Sequence, residues 1–270
     1  MPELAEVEFF RKRWNPGLGE KVSAVLVHPK ASVFRGCDIA LLEKTLTGTT
    51  PLSSEAAAKQ MLFRFSNDAW LGLHLGMTGE LTAQSADFAP RKHDHLVLRQ
   101  GNRSLVFSDH RMFGRVQFAI GPTAPDWWAA IAPAILSDSF TVEAVATFLR
   151  RRARSPIKAV LLTQERFPGV GNWMADEILW RSAVHPKQPA GTLTSARIKT
   201  LHRECRWVCE HALKIIGAEG PELPDPPKTW LFPHRWEDGG LCPKTGVKLL
   251  REEIGGRTTC WSPAWQKLQN

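Results

Sequence analysis

Residues 115–125 read RVQFAIGPTAP, and the chain changes character across them. Val116, Phe118 and Ile120 alternate with more polar neighbours, as in a half-buried strand. Gly121, Pro122 and Pro125 then interrupt any regular element. Upstream, the short runs VSAVLVH, KQMLFRF, AWLGLHLG, HDHLVLR and RSLVFSD repeat the strand-like pattern between Gly, Asn, Asp, Ser and Pro residues. Several short strands with regular turn signals predict a sandwich or barrel. Downstream, TVEAVATFLRRRA, SPIKAVLLTQ, GNWMADEILWRSA and TSARIKTLHRECRWVCEHALKII carry apolar stripes at helical spacing. The boundary at 121 therefore divides a β-rich half from a helical half.

Further out, the ends break this division. The start, from Pro2 to Trp14, predicts a helix with Pro2 at its first position, where a missing N–H costs nothing. Glu3, Glu6 and Glu8 favour its positive end, and Leu4, Val7, Phe10 and Trp14 are spaced to face a core. Asp38–Leu46 predicts a second helix inside the β-rich half. After the helical stretch, GAEGPELPDPPK reads as a linker or loop. The tail predicts a hairpin: KLLREEI, a turn at Gly255-Gly256, then RTTCW.

The 270 residues carry 35 Lys and Arg against 27 Asp and Glu, a net charge of +8, which suits a polyanionic partner. No run reaches the ~18 apolar residues of a membrane span, and the acidic start does not resemble a secretory signal. The five cysteines contain no C-x-x-C pair, which argues against a disulfide scaffold and for a reducing compartment.

Four groups could carry chemistry. Pro2 would become a secondary α-amine if Met1 were removed. Such an amine has a pKa of roughly 7.7–8.0, lowered further at a helix start, and could attack a sugar C1′ with Glu3 moving protons. Equally, Pro2 could merely begin a helix. In FPGVGNWMADE, Gly169 and Gly171 allow a tight turn and Asn172 suits a helix cap. Helix-start amides bind phosphate, and Lys158 lies on the preceding helix. A plain helical hairpin would look the same. Met77 in HLGMTG and Arg111 and Phe113 in SDHRMFG read as loop residues fit to enter a base stack, or as core packing. Cys242, Cys260 and His234 prompt a zinc site, but structural zinc wants four ligands in close pairs. A metal-free hairpin packed by Trp261 and Trp265 is the preferred reading.

Taken in order, PELAEVE, HLGMTG, KHDHL, SDHRMFG and GVGN resemble the motifs of the formamidopyrimidine-DNA glycosylase and endonuclease VIII family over essentially the full chain. The resemblance implies an α+β multidomain fold: an N-terminal helix with a two-sheet β-sandwich over 1–121, a helix–two-turn–helix (H2TH) domain over 122–220, and a linker with a β-hairpin finger over 221–270. It implies a bifunctional DNA glycosylase and abasic-site lyase of base excision repair, acting by β,δ-elimination. Pro2 would be the Schiff-base nucleophile and Glu3 its acid. Lys59 and Arg257 would hold phosphate and support elimination. His74, His93, Lys158 and Asn172 would contact the DNA backbone, with Met77, Arg111 and Phe113 filling the gap left by an extruded nucleotide. The implied partners are damaged duplex and abasic-site DNA, with no membrane, no cofactor and a monomeric state, in a bacterial cytoplasm.

The departures concern the tail and one loop. Zinc-bearing relatives end in two C-x-x-C pairs, whereas here the corresponding stretches are CPKT and SPAW, which retain only Cys242. This is similar to the zincless finger of some relatives. GAEGPELPDPPK is short for the loop that closes over an extruded purine, and Met112 stands where a basic residue is usual. A non-catalytic nucleic-acid-binding protein and a glycosylase with weak lyase activity are the alternative readings.

Overall fold

A reciprocal pair of carboxylates starts the first helix, α1 (Leu4–Lys12). Glu3 is its N-cap: its side chain accepts the Glu6 amide, and the Glu3 amide donates to Glu6 Oε2 at 3.2 Å. This capping box satisfies two orphan donors at once. Pro2 therefore lies one residue ahead of the cap, not at the first helical position as the sequence predicts. The helix also stops at Lys12, and its buried residues are Ala5, Val7 and Phe9, while Leu4 and Phe10 are half-buried. Strands on more than one side cover α1, so a single apolar stripe does not describe its contacts.

The computed structural model describes residues 1–28, 30–236 and 238–269. They divide into two units. The first comprises Met1–Ile131 with Gly217–Leu223, and the second comprises Ala132–Ile216 with the residues from Pro224 on.

In the first unit, β1 (Ala24–Val27) precedes α2 (Ile39–Leu46), which Asp38 caps by accepting the Leu41 amide at 3.0 Å. Then follow β2 (Pro51–Ala57), β3 (Gln60–Phe65), β4 (Ala69–His74), β5 (Glu80–Ser85), β6 (Asp94–Arg99), β7 (Arg103–Ser108) and β8 (Arg115–Ile120). Two antiparallel four-stranded sheets result, in the orders β1-β6-β7-β5 and β2-β3-β4-β8. Their inner faces supply one core: Leu96, Leu98, Leu105 and Phe107 from one sheet, Met61, Phe63, Leu71 and Leu73 from the other, with Trp14 between them. The sequence reading misses β2 and β5. Both are edge strands whose burial is sparse, so neither shows an apolar run. A short helix, α3 (Asp126–Ala129), lays Trp127 against the outer side of β4. A Cβ at Gly72 would come within 2.3 Å of that indole, which explains a glycine in a central strand.

The second unit holds α4 (Val142–Arg151), α5 (Ile157–Leu161), α6 (Asn172–Arg181), the long α7 (Ser195–Ile215), and a hairpin of β9 (Leu250–Ile254) and β10 (Arg257–Trp261). Thr141 and Thr194 cap α4 and α7 through their hydroxyls. Gly255 and Gly256, at φ 61° and 72°, form the left-handed two-residue turn that matches strand twist. A small cluster of Trp180, Leu231, Cys242, Leu249 and Cys260 joins α6 to the hairpin. The indole buried here is Trp180, not the expected pair. Trp261 is half-buried and Trp265 is 38% exposed, and their N–H groups donate to Glu252 and to the Trp180 carbonyl. Among the described residues no helix is long and apolar enough to cross a membrane.

Candidate functional site

The predicted residues fall in both units. In the first, Lys59 occupies the two-residue turn between β2 and β3, and His74 ends β4 opposite Gln60. His74 Nδ1 accepts the Gly76 amide at 3.0 Å. Burial, then the cations Lys59 and Arg35, hold its pKa below the usual histidine value. A neutral ring so bonded carries its proton on Nε2 and acts as a hydrogen-bond donor without charge. Pro2 is half-buried beside Glu3, which is buried.

Met77, Arg111 and Phe113 come together through two touching loops. Gly76, at φ 61°, lies so close to the backbone of Phe113 and Gly114 that a Cβ would approach within 2.5 Å. Beneath the loops sits the buried Asp109. Its Oδ1 accepts the Thr78 hydroxyl at 2.6 Å and the Arg111 amide at 3.2 Å, and its Oδ2 accepts the Gly114 amide at 2.7 Å. One carboxylate thus ties HLGMTG to SDHRMFG and leaves Arg111 and the 51% exposed Phe113 outside, the guanidinium 4.8 Å from the ring centre. Met112 takes a left-handed φ of 55° to complete the turn. His93 is half-buried, its ring edge-on to His110 at 6.4 Å, and its carbonyl accepts the Asp109 amide.

In the second unit, the cap of α6 is Gly171 and Asn172 is the first helical residue, a shift of one from the sequence expectation. The extended Gly171 (φ −123°, ψ −154°) supplies the turn, and the Asn172 side chain is used elsewhere. Its Nδ2 donates to the Thr258 carbonyl at 2.8 Å, next to the exposed Arg257. The hairpin turn presses on α5, where a Cβ at Gly255 would lie 2.8 Å from Ala159 Cβ. Asn172, Arg257 and the helix pair therefore form one surface of this unit. Lys158 does not lie on it. Its ammonium is fully buried, donating to the Asn172 carbonyl at 2.7 Å and to Asp176 Oδ1 at 2.5 Å. Here Lys158 holds the start of α6 from within.

Asp176 is the residue that sequence reading overlooks. With Lys158 on one oxygen, its other oxygen takes Arg235 at 2.6 and 3.1 Å and the Cys260 amide at 3.1 Å. One buried carboxylate thus joins α5, α6, the segment at 235 and β10. Neighbouring Glu177 accepts Arg181 Nε at 2.8 Å and the amides of Leu231 and Phe232, while burial pushes its pKa up to about 7. The positions aligned with zinc ligands do not fit a metal. Cys242 Sγ accepts the Trp180 indole N–H at 3.3 Å, Trp265 donates its own N–H to the Trp180 carbonyl, and position 262 is a buried serine. Among the described residues no three His, Cys, Asp or Glu side chains cluster to hold an ion.

Comparison with known proteins identifies relatives of the chain. Residues 1–116 match the formamidopyrimidine-DNA glycosylase N-terminal domain, and residues 131–220 match the formamidopyrimidine-DNA glycosylase H2TH domain. The formamidopyrimidine-DNA glycosylase of Roseiflexus sp. (strain RS-1) is 38% identical over 75% of this chain and 77% of its own. That of Pelotomaculum thermopropionicum is 31% identical over the whole of both chains. The Lactococcus lactis formamidopyrimidine-DNA glycosylase, solved non-covalently bound to DNA with an abasic site, superposes with a TM-score of 0.84 at 26% identity, covering 98% of this chain and 99% of that one. The wild-type Lactococcus lactis enzyme with DNA containing an oxidized pyrimidine gives 0.87 at 25% identity, covering 98% and 100%. Likeness that begins at the first residue, runs through both domain matches and extends over full-length relatives is kinship, and the chain belongs to the formamidopyrimidine-DNA glycosylase family.

Proposed function

We propose that this chain is a DNA glycosylase of base excision repair that also cleaves the strand at the resulting abasic site, with Pro2 as its nucleophile. The observation that carries the reading is that Pro2 directly precedes a buried, box-capped Glu3 at the positive end of α1. Once Met1 is removed, the proline nitrogen is a secondary amine whose protonated form the helix end disfavours. Its lone pair attacks C1′ of the damaged nucleotide. The glycosidic bond breaks, and the base leaves with that electron pair and takes up a proton. The attacking nitrogen gives up its N–H proton to Glu3, Glu3 delivers that proton to O4′ as the C1′–O4′ bond opens, and the freed nitrogen lone pair forms the iminium. Loss of the now acidic C2′ proton expels the 3′ phosphate, and loss of the C4′ proton expels the 5′ phosphate. Water then hydrolyses the iminium and restores the amine.

The remaining residues position the DNA. Lys59 and Arg257 pair with phosphates around the reacting sugar. His74 donates from Nε2, the amides at the start of α6 beside Asn172 take a backbone phosphate, and His93 adds a further backbone contact. Met77, Arg111 and Phe113 occupy the gap in the stack, offsetting part of the few kcal/mol of unstacking. The hairpin keeps its place without metal, through Asp176.

Borohydride reduction on abasic duplex DNA tests the reading. The expected result is a stable protein–DNA adduct whose modified peptide begins at Pro2, with adduct formation falling about 100-fold in Pro2→Gly, because the ring that positions the amine is lost. Methionine retained in fully active protein overturns it. Base release without adduct would indicate a glycosylase lacking lyase activity, and tight abasic-site binding without either would indicate a binding protein.

A further inference from the structure

The end of α6 opposite Asn172 opens on a cavity of about 530 Å³ within the second unit. Nine residues of helix, at ~1.5 Å each, separate the two ends by about 13 Å. Indoles wall the cavity: Trp180 from α6, Trp207 from α7, and Trp230. Cations rim it. The Arg181 guanidinium lies 3.6 Å from the Trp207 ring centre, and Lys244 Nζ lies 4.4 Å from that of Trp180 and 4.6 Å from that of Trp265. Lys228 is exposed at the mouth. Among the described residues no carboxylate lines the cavity. Burial, then the charge of Arg181, holds the Lys244 pKa below its usual value, against the opposing pull of Glu204, Cys242 and Glu177.

Neither the proposed nucleophile nor the surface formed by Asn172 and Arg257 uses these residues. Lys228 and Lys244 line a cavity with no carboxylate in its lining, beside an Arg181 whose Nε is paired with Glu177, and the two lysines suit a phosphate. The volume exceeds what a phosphate fills and lies within the ~300–1,000 Å³ usual for small-molecule sites. Indole surfaces beside cations are the means by which proteins hold a base and its phosphate together. We propose that this cavity binds a nucleotide, with its phosphate on Lys228 and Lys244 and its base against the tryptophan walls beside Trp207, whose own ring is already covered by His211 and Arg181. The nucleotide could come free from solution or as an unpaired unit of a DNA strand.

Calorimetric titration of the full chain tests this, with dGMP, deoxyguanosine, inorganic phosphate and a five-nucleotide single strand as probes. Each titration is run with and without a saturating duplex carrying an abasic-site analogue. The expected result is dGMP binding that persists in the presence of duplex. Deoxyguanosine and phosphate should bind at least ~10-fold more weakly, because each lacks one half of the contacts. Lys228→Glu with Lys244→Glu should weaken dGMP at least ~10-fold by reversing the rim charge, while duplex affinity stays unchanged. Lys228→Glu alone, at an exposed position, should weaken it in the same direction. A single strand that binds more tightly than dGMP assigns the site to unpaired DNA, and one that binds no more tightly assigns it to free nucleotide. Four outcomes overturn the proposal: no dGMP binding at millimolar concentration, displacement of dGMP by duplex, phosphate binding as tightly as dGMP, or equal dGMP affinity in the charge-reversed proteins.

Discussion

In the sandwich, Phe63, Leu71, Leu98 and Phe107 meet between two sheets as an apolar layer. Around α6, the buried centre is a carboxylate between Lys158 and Arg235. The two arrangements respond differently to change. Apolar contacts are non-directional and many, so each residue contributes a share. A buried carboxylate serving two cations and an amide is directional. Removing it leaves two positive charges without their partner, in a place where water cannot reach them. The sandwich therefore supplies a tolerant platform for the Met77 and Phe113 loops, and the ionic centre ties α6 to the hairpin that carries Arg257 through the Cys260 amide.

The largest effect should come from Asp176→Ala, which is expected to lower unfolding free energy by about 3–5 kcal/mol, read from the denaturant midpoint. An unchanged midpoint would show that the ionic centre is dispensable. Replacing all three members, with Lys158→Met, Asp176→Leu and Arg235→Met, should recover most of the loss if charge balance alone matters. Failure to recover would show that the hydrogen-bond geometry is required. Next, Leu71→Ala in the sandwich should cost about 3 kcal/mol through lost burial and the cavity left behind, with the lesion confined to the first unit. Amide exchange that also loosened β10 would break the comparison.

A further effect, comparable in size, concerns pH. The folded-state pKa of Glu177 is raised to about 7 from 4.5, chiefly by burial. The folded state therefore binds this proton more tightly than the unfolded chain does. Its contribution is fully present below about 4.5 and is lost as pH rises through about 7. Glu177→Gln should flatten the decline in stability between these limits, measured by denaturation at several pH values. A slope equal to the parent's would assign the pH dependence to other groups.

Much of the fold was legible along the chain. The central strands, with dense apolar alternation, and the helices capped by Asp38, Thr141 and Thr194 coincide closely with the sequence reading. The edge strands β2 and β5 did not announce themselves, because an edge strand with one covered face needs few apolar residues. The candidate site was legible as motifs but not as roles. Asp109 lies inside SDHRMFG and Asp176 inside NWMADE, yet nothing local distinguishes a structural carboxylate from a solvated one. Lys158 looked like a phosphate ligand and is instead a buried partner of Asp176. Arg235, 59 residues beyond Asp176, carried no signal at all.

The sequence by itself determined the central strands, the long helices and the family, since periodicity, capping and motif order are local properties that survive without coordinates. Only the tertiary structure decided which charges are buried, which indole fills the hairpin core and which end of α6 faces a cavity. Those outcomes depend on groups far apart in the chain meeting in a low-dielectric interior, where a partner a few ångströms away outweighs anything written beside it in sequence.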